Sequence, residues 1–414
     1  MTVRYGIVGG GFVAGFHVRS LEAVRGVEVA GLTSRTPPVE LADEVRRLGL
    51  GDGVIYDTIE DLASNVDVVC LFAPNFARLD AVRAVARAVS DGATLQALVC
   101  EKPLARNMAE AREMMQLADQ MGVKTAFFEN QLHLPVVQAA RDQLADVAEA
   151  MGPPMVARAS EEHSGPHNAW FWDPVLQGGG VMSDMGCHSL ALGRYLLTPT
   201  NRPPDHLLPE FATAEVASLK WTQPRWRDEL IELHGVDYHA TPAEDYATGM
   251  VTYLDPETGL RSKAQFTVSW MYDKQGLRLL ADGLGAGYAF EINSLRSPLE
   301  LFIGDAAARG VSDAEMALEK STASQGLLTV QPDEPGLYGY VAENRDLVAA
   351  IVDGTEPLLD WEYGLSVVQL TMACYLSAET GRRIDLRDQE VLERLETYVP
   401  LIAQGRGAEV LLPS

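Results

Sequence analysis

The chain begins with a short apolar run, Val3-Arg4-Tyr5-Gly6-Ile7-Val8, that ends in Gly9-Gly10-Gly11 and passes into Phe12-Val13-Ala14. This is G-x-G-x-x-A placed after a strand and before a helix, the arrangement of a dinucleotide-binding turn. Gly9 permits the tight turn, Gly11 lets the backbone approach a pyrophosphate, and Ala14 lets helix and strand pack closely. The helix start at Phe12 and Val13 offers free N–H groups to the anion. Glycine-rich turns are common, so the constraint comes from context: this one opens a series of alternating strands and helices.

The series runs to about residue 128. Strand-like segments at Val3–Val8, Val27–Leu32, Val66–Phe72, Leu95–Cys100 and Val123–Phe128 alternate with helical ones at Phe12–Val24, Pro37–Leu48, Leu79–Val89 and Met108–Met121. Short connections between them predict a doubly wound parallel sheet with helices on both faces. The second half differs. Met155–Ala159, Thr213–Trp221, Thr248–Leu254, Ala264–Trp270 and Leu277–Asp282 alternate polar and apolar residues, with turn signals such as Asp255-Pro256-Glu257-Thr258-Gly259 between them. That pattern predicts a large, mostly antiparallel sheet with one covered face. Helices return at Leu337–Val352 and Gly364–Thr380. The expectation is therefore an α/β chain of two domains, 1–129 and 130–414, with the last helices packed on the second and the tail crossing to the first.

Bulk composition narrows the partners. With 33 basic and 58 acidic residues the net charge is −25. Such a surface repels nucleic acid and anionic membrane. No apolar stretch reaches the roughly 20 residues of a membrane helix. No basic region or cleavage site precedes the first strand, so a cytoplasmic location is expected. Cys70, Cys100, Cys187 and Cys374 form no C-x-x-C pair, so neither a disulfide framework nor a metal site is expected.

The second strand should end near the adenosine ribose, where an acidic residue favours NAD. Here the residues are Thr33-Ser34-Arg35. Ser34 can donate to a 2′-phosphate and Arg35 can pair with it, which leans toward NADP and leaves NAD open; a solvated Arg35 is the plain alternative. The fourth strand ends in Glu101-Lys102-Pro103, at the edge that lines the ligand crevice. An ammonium there can stabilise a developing alkoxide. Further on, Gly178-Gly179-Gly180 precedes Asp184 and His188. In a helix these sit one turn apart on one face. His188 is then a general base near neutral pH that Asp184 can orient; a satisfied core histidine is the other reading.

Gly9–Ala14, Glu101-Lys102-Pro103 and Asp184-x-x-x-His188 together resemble the Gfo/Idh/MocA oxidoreductases, named for glucose–fructose oxidoreductase and inositol dehydrogenase. The resemblance extends to Ala73-Pro74-Asn75 after the third strand, to 342–357, and to the helix at 373–381. It implies a Rossmann domain followed by an α/β domain with an open sheet, paired into a homodimer or homotetramer through that sheet. It implies NAD(P) held by Gly9, Gly11, Phe12, Val13, Ser34, Arg35, Ala73, Pro74, Asn75, Glu101 and Lys102, and a catalytic set of Lys102, Asp184 and His188. One departure is plain: the family often has His a few residues after Pro-Asn, whereas this chain has Phe76-Ala77-Arg78. The family's contact to the nicotinamide ribose is therefore not carried over.

Residues 161–173, before the glycines, concentrate indoles, imidazoles and carboxyls. Carbohydrate pockets combine flat apolar faces with polar groups, so His167, Trp172, Asp184 and Tyr246 are candidate substrate contacts. A packed aromatic loop is the alternative for Trp172. Segments 198–240 and 306–331 read as insertions. The expected activity is NAD(P)-dependent interconversion of an alcohol and a ketone on a sugar, glycoside or cyclitol. Glycoside cleavage through a transient 3-keto intermediate is a second possibility, and a non-catalytic dinucleotide sensor a third.

Overall fold

The computed structural model describes residues 2–273, 277–293, 300–303, 326–329 and 333–412. The chain forms two compact units, Met1–Pro135 with Pro335–Val368, and Val136–Glu334 with Gln369–Ser414.

The first unit is built on β1 (Val3–Val8), β2 (Val27–Thr33), β3 (Val68–Leu71), β4 (Ala97–Glu101) and β5 (Lys124–Phe128). They lie in the order β2-β1-β3-β4-β5, every neighbouring pair parallel. All residues of β3 and β4 are buried, because helices cover both faces and the strands are apolar throughout. Between strands run the helices Phe12–Leu21, Val39–Arg47, Asn75–Ser90 and Met108–Met121. The last begins where the Asn107 side chain accepts from Glu110 N, a cap that satisfies one free donor. The strand order reverses between β1 and β3, which opens a crevice at the carboxyl ends of the strands.

Pro335–Val368, expected in the second domain, belongs to the first unit. Its helix Tyr340–Asp353 places Leu347, Val348 and Ile351 in one core with Val3, Ile7 and Val18. The apolar face of that helix covers the helix Phe12–Leu21. The expected crossing of the tail to the first domain is likewise corrected, since residues 369–412 lie in the second unit.

The second unit carries a seven-stranded sheet from β6 (Val156–Glu162), β7 (Leu208–Ala217), β8 (Tyr246–Leu254), β9 (Arg261–Ser269), β10 (Arg278–Gly285), β11 (Tyr288–Asn293) and β14 (Ile384–Asp385). Their order is β11-β10-β6-β9-β8-β7-β14. Every pairing is antiparallel except β6 with β9. Ala157, Ala159 and Glu161 are the buried residues of β6, the side that meets the helix Cys187–Leu197. A further pair, β12 (Glu300–Ile303) and β13 (Gly326–Thr329), is antiparallel. The insertion at 198–240 contributes β7 to the sheet and adds the helix Pro224–His234. The insertion at 306–331 lies outside the described residues except for β13. Among the described residues no helix is long and apolar enough to cross a membrane.

Candidate active site

In the first unit, Gly9 has φ +124°, and a Cβ there would stand 2.7 Å from the Phe72 carbonyl oxygen at the end of β3. Only glycine fits that turn. A Cβ on Gly10 would lie 3.7 Å from Ser34 Cβ, so the Ser34 side chain stands near the turn, just past the end of β2. The Gly11 position faces open space, and no side chain caps the helix it begins. A pyrophosphate binds at a helix start of this kind, here Phe12 and Val13. Phe12 is 39% exposed, Arg35 is exposed, and Ala73 and Asn75 are buried where the helix Asn75–Ser90 begins. These residues fit a dinucleotide laid across the switch point.

Lys102 leaves the same sheet edge, half-buried, one residue beyond β4. Its amide donates to the Phe128 carbonyl at 3.1 Å and to Glu101 Oε2 at 2.9 Å. Glu101 is buried and its other oxygen meets His17 Nε2 at 2.9 Å. Burial opposes ionisation of Glu101, but the His17 hydrogen bond and the charges of Lys102 and Arg78 outweigh it and hold the carboxyl below its usual range. Burial pushes the His17 imidazole down despite Glu101. A neutral His17 donating from Nε2 and accepting from Asn344 Nδ2 at Nδ1, 3.0 Å away, satisfies both. His17 stacks on Phe72 at 3.9 Å between ring centroids.

Behind this pair lies Glu343, fully buried, with no hydrogen-bond partner for either carboxyl oxygen among the described residues. Its Oε1 is 3.9 Å from His17 Nδ1. His17, Glu101 and Glu343 have the chemistry of metal ligands. One nitrogen and one oxygen from each carboxyl lie within 4.8 Å of one another, and the two carboxylates lie against opposite nitrogens of the ring. Burial, followed by the charges of Glu101 and Glu129, raises the Glu343 pKa well above the usual value. A raised carboxyl binds more protons folded than unfolded, so stability falls as pH rises above the unfolded value. The loss is about 1.4 kcal/mol per pH unit until the folded pKa is reached. Glu343→Gln removes that loss. Its thermal midpoint should exceed that of the wild type by a margin that widens between pH 5 and pH 8; a margin independent of pH contradicts a neutral buried acid.

In the second unit, the glycine run leads into one π-helical turn, Met182–Gly186, followed by the α-helix Cys187–Leu197. The simple helix expected around Asp184 is therefore widened there. The turn is held by Glu244, fully buried, whose Oε1 accepts from Gly180 N at 2.8 Å, Met182 N at 3.0 Å and the Tyr375 hydroxyl at 2.6 Å. A Cβ on Gly180 would stand 2.3 Å from the Glu244 carbonyl oxygen, so the glycine permits this approach. Burial lifts Glu244 to about 7 against those hydrogen bonds.

The held turn buries Asp184 and His188 beside the carboxyl ends of β6 and β9. Asp184 Oδ2 accepts from the Trp270 indole at 3.3 Å and lies 3.8 Å from His163 Nε2. Glu161 Oε2 stands 4.0 Å from His188 Nε2. Two carboxylates and two imidazoles thus share one buried region. Glu161 and His163 fall within the stretch 161–173 that the sequence marks for the substrate side, though neither is singled out there; Trp270 and Glu244 carry no signal in the sequence.

The substrate candidates separate. His167 is exposed, and Tyr246 is half-buried at the start of β8, opposite Ser269. Trp172 is 2% exposed and packs edge-on against Trp221 and Trp270, with its indole donating to the Pro166 carbonyl. Its faces are spent on that cluster, so the packed-loop alternative describes it better than a sugar platform. Trp170 and Phe171, stacked at 3.8 Å and half-buried, are the aromatic surface of this loop.

Residues 3–129 match the oxidoreductase family with an NAD-binding Rossmann fold, and residues 137–284 match the Gfo/Idh/MocA C-terminal domain. The chain belongs to the Gfo/Idh/MocA oxidoreductase family. Among curated relatives, D-apiose dehydrogenase of Paraburkholderia graminis is 25% identical over 300 residues, covering 71% of this chain and 68% of that protein. Inositol 2-dehydrogenase of Rhizobium meliloti is 28% identical over 200 residues, covering 48% and 56%. Coverage falls to 39% of the length of an uncharacterised protein of Saccharomyces cerevisiae, so the chain spans well under two thirds of several relatives it matches. The crystal structure of GenD2 from gentamicin A biosynthesis, in complex with NAD, superposes with a TM-score of 0.72 at 23% identity, covering 93% of this chain and 96% of that one. The family fold is thus common to the two chains.

Proposed function

We propose that the protein is an NAD(P)-dependent dehydrogenase or reductase that interconverts a secondary alcohol and a ketone on a sugar, glycoside or cyclitol. The observation that carries this reading is the placement of the Gly9 turn and Lys102 on one carboxyl edge of the parallel sheet. Gly9, Gly11, Phe12 and Val13 would hold the pyrophosphate, Ser34 and Arg35 the adenosine ribose, and Ala73, Pro74 and Asn75 the nicotinamide half. A bound nicotinamide supplies hydride acceptance from the carbinol carbon. Lys102 donates to the carbinol oxygen and stabilises the charge that develops there. His188 takes the hydroxyl proton at its ring nitrogen, and the neighbouring Glu161 stabilises the imidazolium so formed. Asp184, fixed by Trp270, accepts from a second substrate hydroxyl, and Tyr246 and His167 extend the contact.

The names D-apiose dehydrogenase and inositol 2-dehydrogenase support a sugar or cyclitol as substrate class. Ser34 beside the glycine turn and exposed Arg35 favour NADP over NAD. Pairing of two copies through the open face of the seven-stranded sheet completes the reading. A panel of sugars, cyclitols and glycosides, assayed with NAD and NADP at the nicotinamide absorbance, tests it. Reduced cofactor formed in step with a ketone product is the expected result, with the NADP preference lost in Arg35→Ala. Aglycone release without net reduction points instead to cleavage through a 3-keto intermediate, and silence across the panel overturns the reading.

A further inference from the structure

We infer that Arg78 is a positioning residue for Lys102, and that it explains the departure of this chain from its family at that site. The inference rests on the reading of Lys102 as catalytic. Arg78 sits in the first turn of the helix Asn75–Ser90 and is 5% exposed. Its Nε donates to the Ala73 carbonyl at 3.1 Å. Nη1 donates to the Glu101 carbonyl at 2.6 Å and to the Pro103 carbonyl, and Nη2 donates to the Lys102 carbonyl at 3.0 Å. One guanidinium thus gathers the carbonyls of three consecutive residues centred on Lys102, together with that of Ala73, two residues beyond β3.

Three consecutive carbonyls turned to one point are foreign to a strand, where successive groups alternate in direction. Without Arg78, the Glu101 and Pro103 carbonyls would each lose a buried hydrogen bond from a charged donor. The planar fork of arginine has five N–H donors in fixed directions, and four of them are engaged here. Lysine has three donors on a point charge, and histidine two on a ring, so neither reaches all four acceptors. The amide side of Lys102 is fixed separately, by the Phe128 carbonyl and by the Glu101 carboxylate, which His17 holds in turn. Both peptide groups of Lys102 are thereby tied down, and the direction of its Cα–Cβ bond follows. With its donors committed to main chain, Arg78 serves the cofactor by placing Lys102 rather than by touching the ribose.

Arg78→Lys tests this with four readouts: dinucleotide Kd by titration, kcat and KM, thermal midpoint, and the acetylation rate of Lys102 followed by mass spectrometry. Dinucleotide Kd within about threefold and kcat lowered by about 100-fold, the effect of roughly 1 Å of misplacement, are expected. An altered Lys102 acetylation rate should accompany them. Unchanged kcat overturns the proposal, as does a loss of kcat that merely tracks loss of binding and of thermal midpoint. Should Arg78→Lys fail to fold, Arg78→Gln is read by the same measurements; failure of both makes Arg78 a stability residue and also overturns it. If the wild type turns over no polyol, the functional reading is wrong, while Lys102 acetylation in wild type and variant still decides the clamp. Equal rates then sink it, and a changed rate supports it.

Discussion

Lys102→Ala should lower kcat/KM by at least about a thousandfold while dinucleotide affinity stays within a few-fold. A single preorganised donor to a developing oxyanion contributes about 10²–10³ in rate, and a charged donor more. The substitution removes only the side chain. The bonds from the Lys102 amide to Phe128 and Glu101 are main-chain and survive in alanine, as do the Arg78 contacts to the carbonyls. The turn is therefore kept, and the loss reads on the ammonium. Steady-state rates beside a fluorescence titration of NAD and NADP make the comparison. Turnover retained in Lys102→Ala would remove the lysine from the reaction.

The second large effect concerns His188. His188→Ala should lower kcat by about 10²–10⁴, the range typical of a positioned acid–base group, and added imidazole should recover part of the loss. The side chain is 4% exposed and next to Glu161, so the truncation leaves a small space lined by a carboxylate, suited to a free imidazole. Asp184→Asn should act differently. Its oxygen still accepts from Trp270, and the weakened term is substrate hydroxyl binding, so KM should rise more than kcat falls. An activity within about threefold of wild type for His188→Ala, well short of that range, assigns the proton transfer to another group.

Much of the first unit was legible because its signals are local. Strands buried on both faces read as unbroken apolar runs, and the glycine turn marks its own position. Lys102, Asp184 and His188 stood out for the same reason, each in a short motif. What surrounds them was hidden because it is assembled across long separations. His17 meets Glu101 across 84 residues and Asn344 across 327. Glu244 reaches Gly180 across 64. No periodicity encodes such pairs. Trp172 stays open in the sequence for a related reason: a cluster of aromatic residues is the same in sequence whether it faces a sugar or packs against other rings, and the contacts to Trp221 and Trp270 appear only in the fold. The setting of the π-helical turn is likewise invisible locally, because the carboxylate that holds its start comes from a distant loop.

The two-segment construction of the first unit has a consequence in time. A ribosome makes the glycine turn, Lys102 and β5 long before it makes Leu347, Val348 and Ile351, which complete their core. Until then His17 lacks Asn344, and the helix Phe12–Leu21 shows an apolar flank to solvent. Synthesis order and folding order therefore run opposite for this unit. The part of the chain that begins first finishes late, and a nascent chain arrested in the second unit should be unable to bind a dinucleotide tightly.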